Sequence, residues 1–171
     1  GTPAFMGSRF QAVGKSPLTG GWGDANAGGH FGPRLKLAGF DDIFFTGIAD
    51  DPVYLFIDSG KAELRDASDL WGKDVYETEE ILKSRHGGQT RVACIGPAGE
   101  KMSLAACIIN EKGASAGRSG LGAVMGSKKI KAVVVRGTLR VPIADMDRIV
   151  KIRDEQIANM KLPIEGGPSA F

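Results

Sequence analysis

The sequence predicts an α+β fold, or a mixed-sheet α/β fold, of two sheets with a few interspersed helices. Three observations carry that reading. Short apolar runs of four to eight residues outnumber helical stretches, as in Val53–Asp58, Arg91–Ile95 and Lys131–Arg136. Strand-rich stretches flank one clear helix, Asp74–His86, on both sides. The 25 glycines are about twice the usual share of roughly 7%, and two clusters of them, within residues 15–32 and 116–137, break up the strands.

Taken in order, Arg9–Val13 reads as a strand that stops at Lys15, Ser16 and Pro17. Residues 15–32 follow as a glycine-rich loop, long for one without structure of its own, and so read as functional. Trp22, Phe31 and the low charge of this stretch argue against disorder. Pro33 suits the first position of a helix running to Ala38. Ile43–Thr46 is a short apolar run closed by Gly47. Val53–Asp58 is a strand, and Ser59 with Gly60 forms a two-residue hairpin turn into Lys61–Arg65. Val75, Thr78, Ile81 and Leu82 share one face of the Asp74–His86 helix, which Gly87 and Gly88 stop. Arg91–Ile95, Ser103–Ile109 and Lys131–Arg136 complete the strands, with a helix over Leu121–Lys129 between the last two. Met146, Ile149, Val150, Ile157 and Met160 keep helical spacing from Asp145 to Lys161, after which Leu162–Phe171 reads as a linker. The boundary drawn is a first domain over 1–143, then a helix and linker over 144–171.

Composition narrows the function. The chain has 171 residues, 42% hydrophobic and 25% charged, enough for one sizeable core. A net charge of +2 with no basic, aromatic-interleaved stripe points away from nucleic acid. No apolar run approaches the roughly 18 residues of a membrane span, and a cytoplasmic setting is expected. Cys94 and Cys107 read as reduced, buried thiols. Neither they nor His30 and His86 have metal-ligand spacing, and no residue is marked as a catalytic acid, base or nucleophile.

The stretch richest in chemistry runs from Ala116 to Gly137. Gly117, Gly120, Gly122 and Gly126 alternate with Arg118, Lys128 and Lys129 between two apolar runs. Glycines between a strand and a helix bring backbone N–H groups close to a docked anion, phosphate above all. They equally permit tight turns and close helix packing, and the residues alone leave the two readings level. Neither G-x-G-x-x-G nor the P-loop pattern fits, which disfavours a nicotinamide dehydrogenase or a nucleotide hydrolase. The second cluster centres on Asn26, Gly28 and Gly29.

Spaced motifs over the first 145 or so residues resemble the N-terminal domain of the tungsten-containing aldehyde ferredoxin oxidoreductase family. They include Arg9, Lys15–Gly20, Asn26–Gly29, Phe31 with Gly32, Ala38–Asp41 and Pro52–Leu55. Arg65–Ala67, Leu70–Gly72, Ile95–Glu100 and Ala116–Gly137 continue them in family order. The resemblance implies a base of two antiparallel sheets under a tungsten or molybdenum ion held by two pterin dithiolenes, with magnesium between the pterin phosphates. It implies that each glycine cluster serves one pterin. Arg9, Gly28, Gly29, Ala116, Gly117, Arg118 and Gly120 would contact the pterins, and Asn26 and Ser115 would lie at the magnesium, both through backbone carbonyls.

The full enzyme would oxidise an aldehyde to a carboxylate and pass electrons through a 4Fe-4S cluster to ferredoxin. Within the family, an acyl-CoA ring reductase or a hydroxycarboxylate oxidoreductase is the alternative; outside it, a phosphate- or nucleotide-binding module without redox activity. The family's cluster cysteines and catalytic residues have no match here, so the chain is expected to be a piece of a larger enzyme, truncated at its start and leading into helical domains. A homo-oligomer is a further expectation. Two departures stand out: Ala114 replaces a family arginine, leaving Lys112 as the nearest substitute cation, and Ser119 replaces a glycine.

Overall fold

The computed structural model describes residues 2–4 and 7–160, so the expected linker over 162–171 lies outside the described residues. Strands β1 (Phe10–Lys15) and β2 (Trp22–Ala27) pair antiparallel as a two-stranded sheet. Helix α1 (Phe31–Leu37) follows. Strands β3 (Val53–Asp58) and β4 (Lys61–Asp66) form a hairpin, α2 spans Val75–His86, β5 Arg91–Cys94 and α3 Pro97–Glu100. Then come β6 (Ile108–Asn110), β7 (Ala114–Ala116), α4 (Leu121–Ser127), β8 (Ile130–Arg136) and α5 (Met146–Met160). The second sheet has six strands in the order β4-β3-β8-β5-β6-β7. Its pairings are antiparallel except for β3 with β8, so the α+β expectation of two antiparallel-rich sheets holds with one parallel seam.

Strand β8 explains why that seam is central. Its run Ile130–Val135 is buried on both faces, as a strand between two covered layers must be. Leu55, Ile57, Val133 and Val135 meet Phe31 and Met125 on one face. Tyr54, Phe56, Val134 and Val92 meet Leu70 and Leu82 on the other. The exception in the run is Lys131, fully buried, whose ammonium donates to Lys73 O and pairs with Glu100. Helix α2 covers the second face, opened by a reciprocal capping box between Asp74 and Glu77 and closed by Gly87 at φ 94°. Ser59 (φ 45°) and Gly60 (φ 90°) make the two-residue β3–β4 turn that the sequence predicts.

Several sequence expectations change. Residues 15–32 are not one loop: they contain β2, where Gly23, Ala25 and Ala27 point inward and Trp22, Asp24 and Asn26 outward. Residues that small give little apolar signal, although their alternation has the period of a strand. Helix α1 starts two residues before Pro33. The predicted Ser103–Ile109 strand shrinks to Ile108–Asn110, because turns bonded from Ser103 N to Ala98 O and from Ala106 N to Ser103 O occupy its first half. Ile43–Thr46 forms no strand; Ile43 and Phe45 pack on the core while Phe44 is exposed. His86, at the end of α2, is buried, stacked 4.1 Å from the Phe56 ring and within 3.1 Å of the Tyr54 hydroxyl. Cys94 is buried as expected, its thiol pushed up to about 12 by desolvation, whereas Cys107 is half-buried at a turn.

Candidate functional site

The two sheets meet along a seam between β2 and β7, and that seam carries the site. Ala25 and Ala27 of β2 pack against Ala116 of β7 and Leu121 of α4 in a small core of their own. Alanines allow the strands this close approach and turn the alternate side chains outward. On β2 these are Asp24 and Asn26, and on β7 it is Ser115. Beyond Ala116 the backbone reverses sharply, since Ser119 (φ 65°) and Gly120 (φ 67°) are both left-handed, and α4 begins. The reversal leaves Gly117 and Arg118 exposed on the outside.

The result is a cleft of about 430 Å³, lined by Arg9, Asp24, Ala25 and Asn26 from the hairpin sheet and by Ser115, Gly117 and Arg118 from the other side. Its size is that of a small-molecule site. The Arg9 guanidinium donates to Asn26 Oδ1 at 2.9 Å, and Gln11 Nε2 donates to Asp24 Oδ2 at 2.8 Å. Ser119 Oγ donates to the Asp24 carbonyl at 3.2 Å, joining the two clusters directly. A guanidinium from each side, Arg9 and Arg118, thus faces a common space, next to the amide of Asn26, the hydroxyl of Ser115 and the carboxylate of Asp24.

Of the residues singled out in the sequence, Arg9, Asn26, Ser115, Gly117 and Arg118 come together in this one cleft, drawn from both clusters. Gly28, Gly29, Ala116 and Gly120 do not line it. A Cβ on Gly28 would come within 3.5 Å of Arg9 Nη1, and Ala116 is fully buried beneath the floor. Gly29 (φ 89°) lies against Asn110 and Glu111, and a Cβ on Gly120 would stand 2.4 Å from Leu104 O. Gly122 and Gly126 are packing positions, where a Cβ would meet Cys107 O at 2.6 Å and Gly99 O at 1.9 Å. Asp24 and Ala25 went unnamed in the sequence, though the β2 alternation places Asp24 on the face of Asn26. Lys112 does not stand in for the arginine missing at Ala114. Its ammonium is paired with Glu80 of α2, which also raises its pKa.

Comparison with known proteins bears directly on this geometry. Residues 1–137 match the family described as "Aldehyde ferredoxin oxidoreductase, N-terminal domain". The chain belongs to the aldehyde ferredoxin oxidoreductase family. A tungsten-containing aldehyde ferredoxin oxidoreductase of Pyrococcus abyssi is 48% identical over 169 residues, covering 98% of this chain and 28% of its own length. An aliphatic sulfonate oxidoreductase, WOR-like subunit, of Pyrococcus furiosus is 36% identical over 82% of this chain and 25% of its own. The structure of the active-site complex of a benzoyl coenzyme A reductase with 1,5-dienoyl-CoA superposes with a TM-score of 0.91 at 41% identity, over 94% of this chain and 24% of that one. The chain therefore spans about a quarter of the length of these family members, which carry further domains. Among the described residues no helix is long and apolar enough to cross a membrane.

Proposed function

We propose that this domain binds the phosphorylated pterins of a tungsten or molybdenum cofactor, within an oxidoreductase that converts an aldehyde to a carboxylate with ferredoxin as electron acceptor. The observation that carries the reading is the convergence of Arg9 and Asn26 with Ser115, Gly117 and Arg118 on one cleft. The donor set fits the group. Two guanidiniums and the open backbone at Gly117 suit phosphate oxygens, and the oxygens of Asn26 and Ser115 suit a hard cation such as magnesium. Among the described residues no three His, Cys, Asp or Glu side chains converge, which fits a redox metal held by its organic cofactor. The bound group supplies the two-electron chemistry at its metal.

This chain's residues bind and orient. Arg9 and Arg118 neutralise anionic charge from opposite sides of the cleft, and Asn26 holds Arg9 in place. Alanines in the seam keep water from beneath the cleft floor. The 4Fe-4S cluster, the substrate pocket and the acid–base residues belong to other domains of the full enzyme, which we place in the cytoplasm. A ring reductase acting on an acyl-CoA is the second reading, favoured by the 0.91 TM-score to the benzoyl coenzyme A reductase complex.

Hydrogen bonds to charged groups contribute about 1.5–3 kcal/mol, or roughly 10- to 150-fold in affinity. Arg118→Ala and Asn26→Ala in the intact protein should therefore lower bound tungsten and pterin while leaving iron in place, by elemental analysis of anaerobically purified protein. Unchanged tungsten in both variants overturns the assignment.

A further inference from the structure

The seam that carries the cleft is fastened at two ends. At one, Ser119 Oγ donates to the Asp24 carbonyl at 3.2 Å. At the other, the Glu111 carboxylate accepts from the backbone N–H of His30 at 3.1 Å and from its ring Nδ1 at 3.0 Å. Asn26 lies on β2 between these fastenings, and Ser115 and Gly117 lie between Glu111 and Ser119 on the facing segment. The cleft occupies the interval they bracket.

Glu111 is itself held firmly. Its side chain is 24% exposed and lies 3.1 Å from Arg91 Nε of β5. Its backbone (φ 49°) and that of Lys112 (φ 60°) are left-handed, opening the three-residue loop Glu111–Gly113 that joins β6 to β7. That loop is anchored to α2, where the buried Glu79 carboxylate accepts from Lys112 N at 3.0 Å. Gly29 fits against this corner because it lacks a side chain: a Cβ would stand 2.7 Å from Glu111 Oε2. Among the described residues, the Glu111 carboxylate supplies the hydrogen bonds from that corner to His30, in the turn that follows Asn26 and Gly28.

From this arrangement we propose that Glu111 is a positioning residue for the cleft: its carboxylate fixes the turn at Gly29 and His30 and so sets the spacing between the Asn26 rim and the Ser115–Arg118 rim. The proposal rests on the cofactor reading above. Glu111 does not line the cleft, so it acts through the backbone it holds and touches no ligand.

The test uses the intact protein purified without oxygen, with Glu111→Ala, Glu111→Gln and Arg118→Ala compared for tungsten per chain and for hydrogen exchange by mass spectrometry. Glu111→Ala should lose at least fivefold in tungsten. Exchange should quicken in peptides covering residues 26–32 and 111–119 and stay unchanged across β3 and β8. Gln keeps an acceptor for the His30 N–H, so Glu111→Gln should stay within about twofold of the parent. A parental tungsten content in Glu111→Ala while Arg118→Ala loses it overturns the positioning role alone. Exchange that rises throughout the sheet in Glu111→Ala, with no rescue by Gln, overturns it in favour of a general stability effect. Tungsten unchanged in Arg118→Ala, as in Asn26→Ala, refutes the cofactor reading, and the exchange pattern still decides whether Glu111 fixes the turn.

Discussion

Gly126→Ala separates the two readings of the Ala116–Gly137 glycine cluster. In an exposed helix, alanine is better than glycine by about 1 kcal/mol, so propensity alone predicts stabilisation. In this fold the added Cβ would stand 1.9 Å from Gly99 O and 2.6 Å from Gly99 C, where α4 crosses α3. That is roughly 1.5 Å inside ordinary van der Waals separation, and both partners are backbone, so no rotamer change relieves it. Overpacking of this kind costs up to about 3 kcal/mol, leaving a net loss of about 2 kcal/mol after the propensity gain. The assay is thermal and urea unfolding of the intact protein, with Gly113→Ala alongside, since a Cβ at Gly113 has no atom within 4 Å. The control should stay within about 0.5 kcal/mol of the parent. A Gly126→Ala protein as stable as the parent would refute the packing argument and return this glycine to the ligand-approach reading.

Lys131→Met leaves Glu100, with a side chain 5% exposed, as an uncompensated buried charge. Its expected cost is about 3–5 kcal/mol, and the Lys131→Met/Glu100→Gln double variant should recover part of it; a single-variant cost under about 1 kcal/mol by urea unfolding would contradict this. His86 is kept neutral, its pKa lowered first by burial and then by Arg65, Arg136 and Arg85. Because the unfolded state protonates it near pH 6.5 and the folded state only lower, stability should fall as pH drops below about 6.5. Melting curves from pH 7.5 to 5.5 should show that slope reduced in His86→Gln, and an identical slope in the variant would exclude His86 as its source.

Much of the architecture was legible because it rests on local rules. Val53–Asp58, the Ser59–Gly60 turn and Asp74–His86 announce themselves by apolar run, turn chemistry and capping, and each forms close to its expected place. Elements whose stability is tertiary were not legible. After Trp22, strand β2 is built of Gly, Ala, Asp and Asn, weak strand formers that β1 pairs with and Ala116 covers. The apolar stretch at Leu104–Cys107 looks like a strand but turns, because its carbonyls are taken by α4 and by local turns, as Gly122 N donating to Ala106 O shows.

The same division runs through the site. The sequence by itself determined which residues have the chemistry, arginines and small polar residues among glycines at Arg9, Asn26, Ser115 and Arg118, and motif order determined the family. Only the tertiary structure decided which glycines border the cleft and which pack, and that the Lys112 ammonium is paired with Glu80. It also decided that two clusters some ninety residues apart share one cleft bracketed by Ser119 and Glu111. The physical reason is range. Backbone preferences act over a few residues, whereas a steric contact or a buried ion pair depends on what the fold places opposite, and β2 and β7 meet only once the sheets have packed.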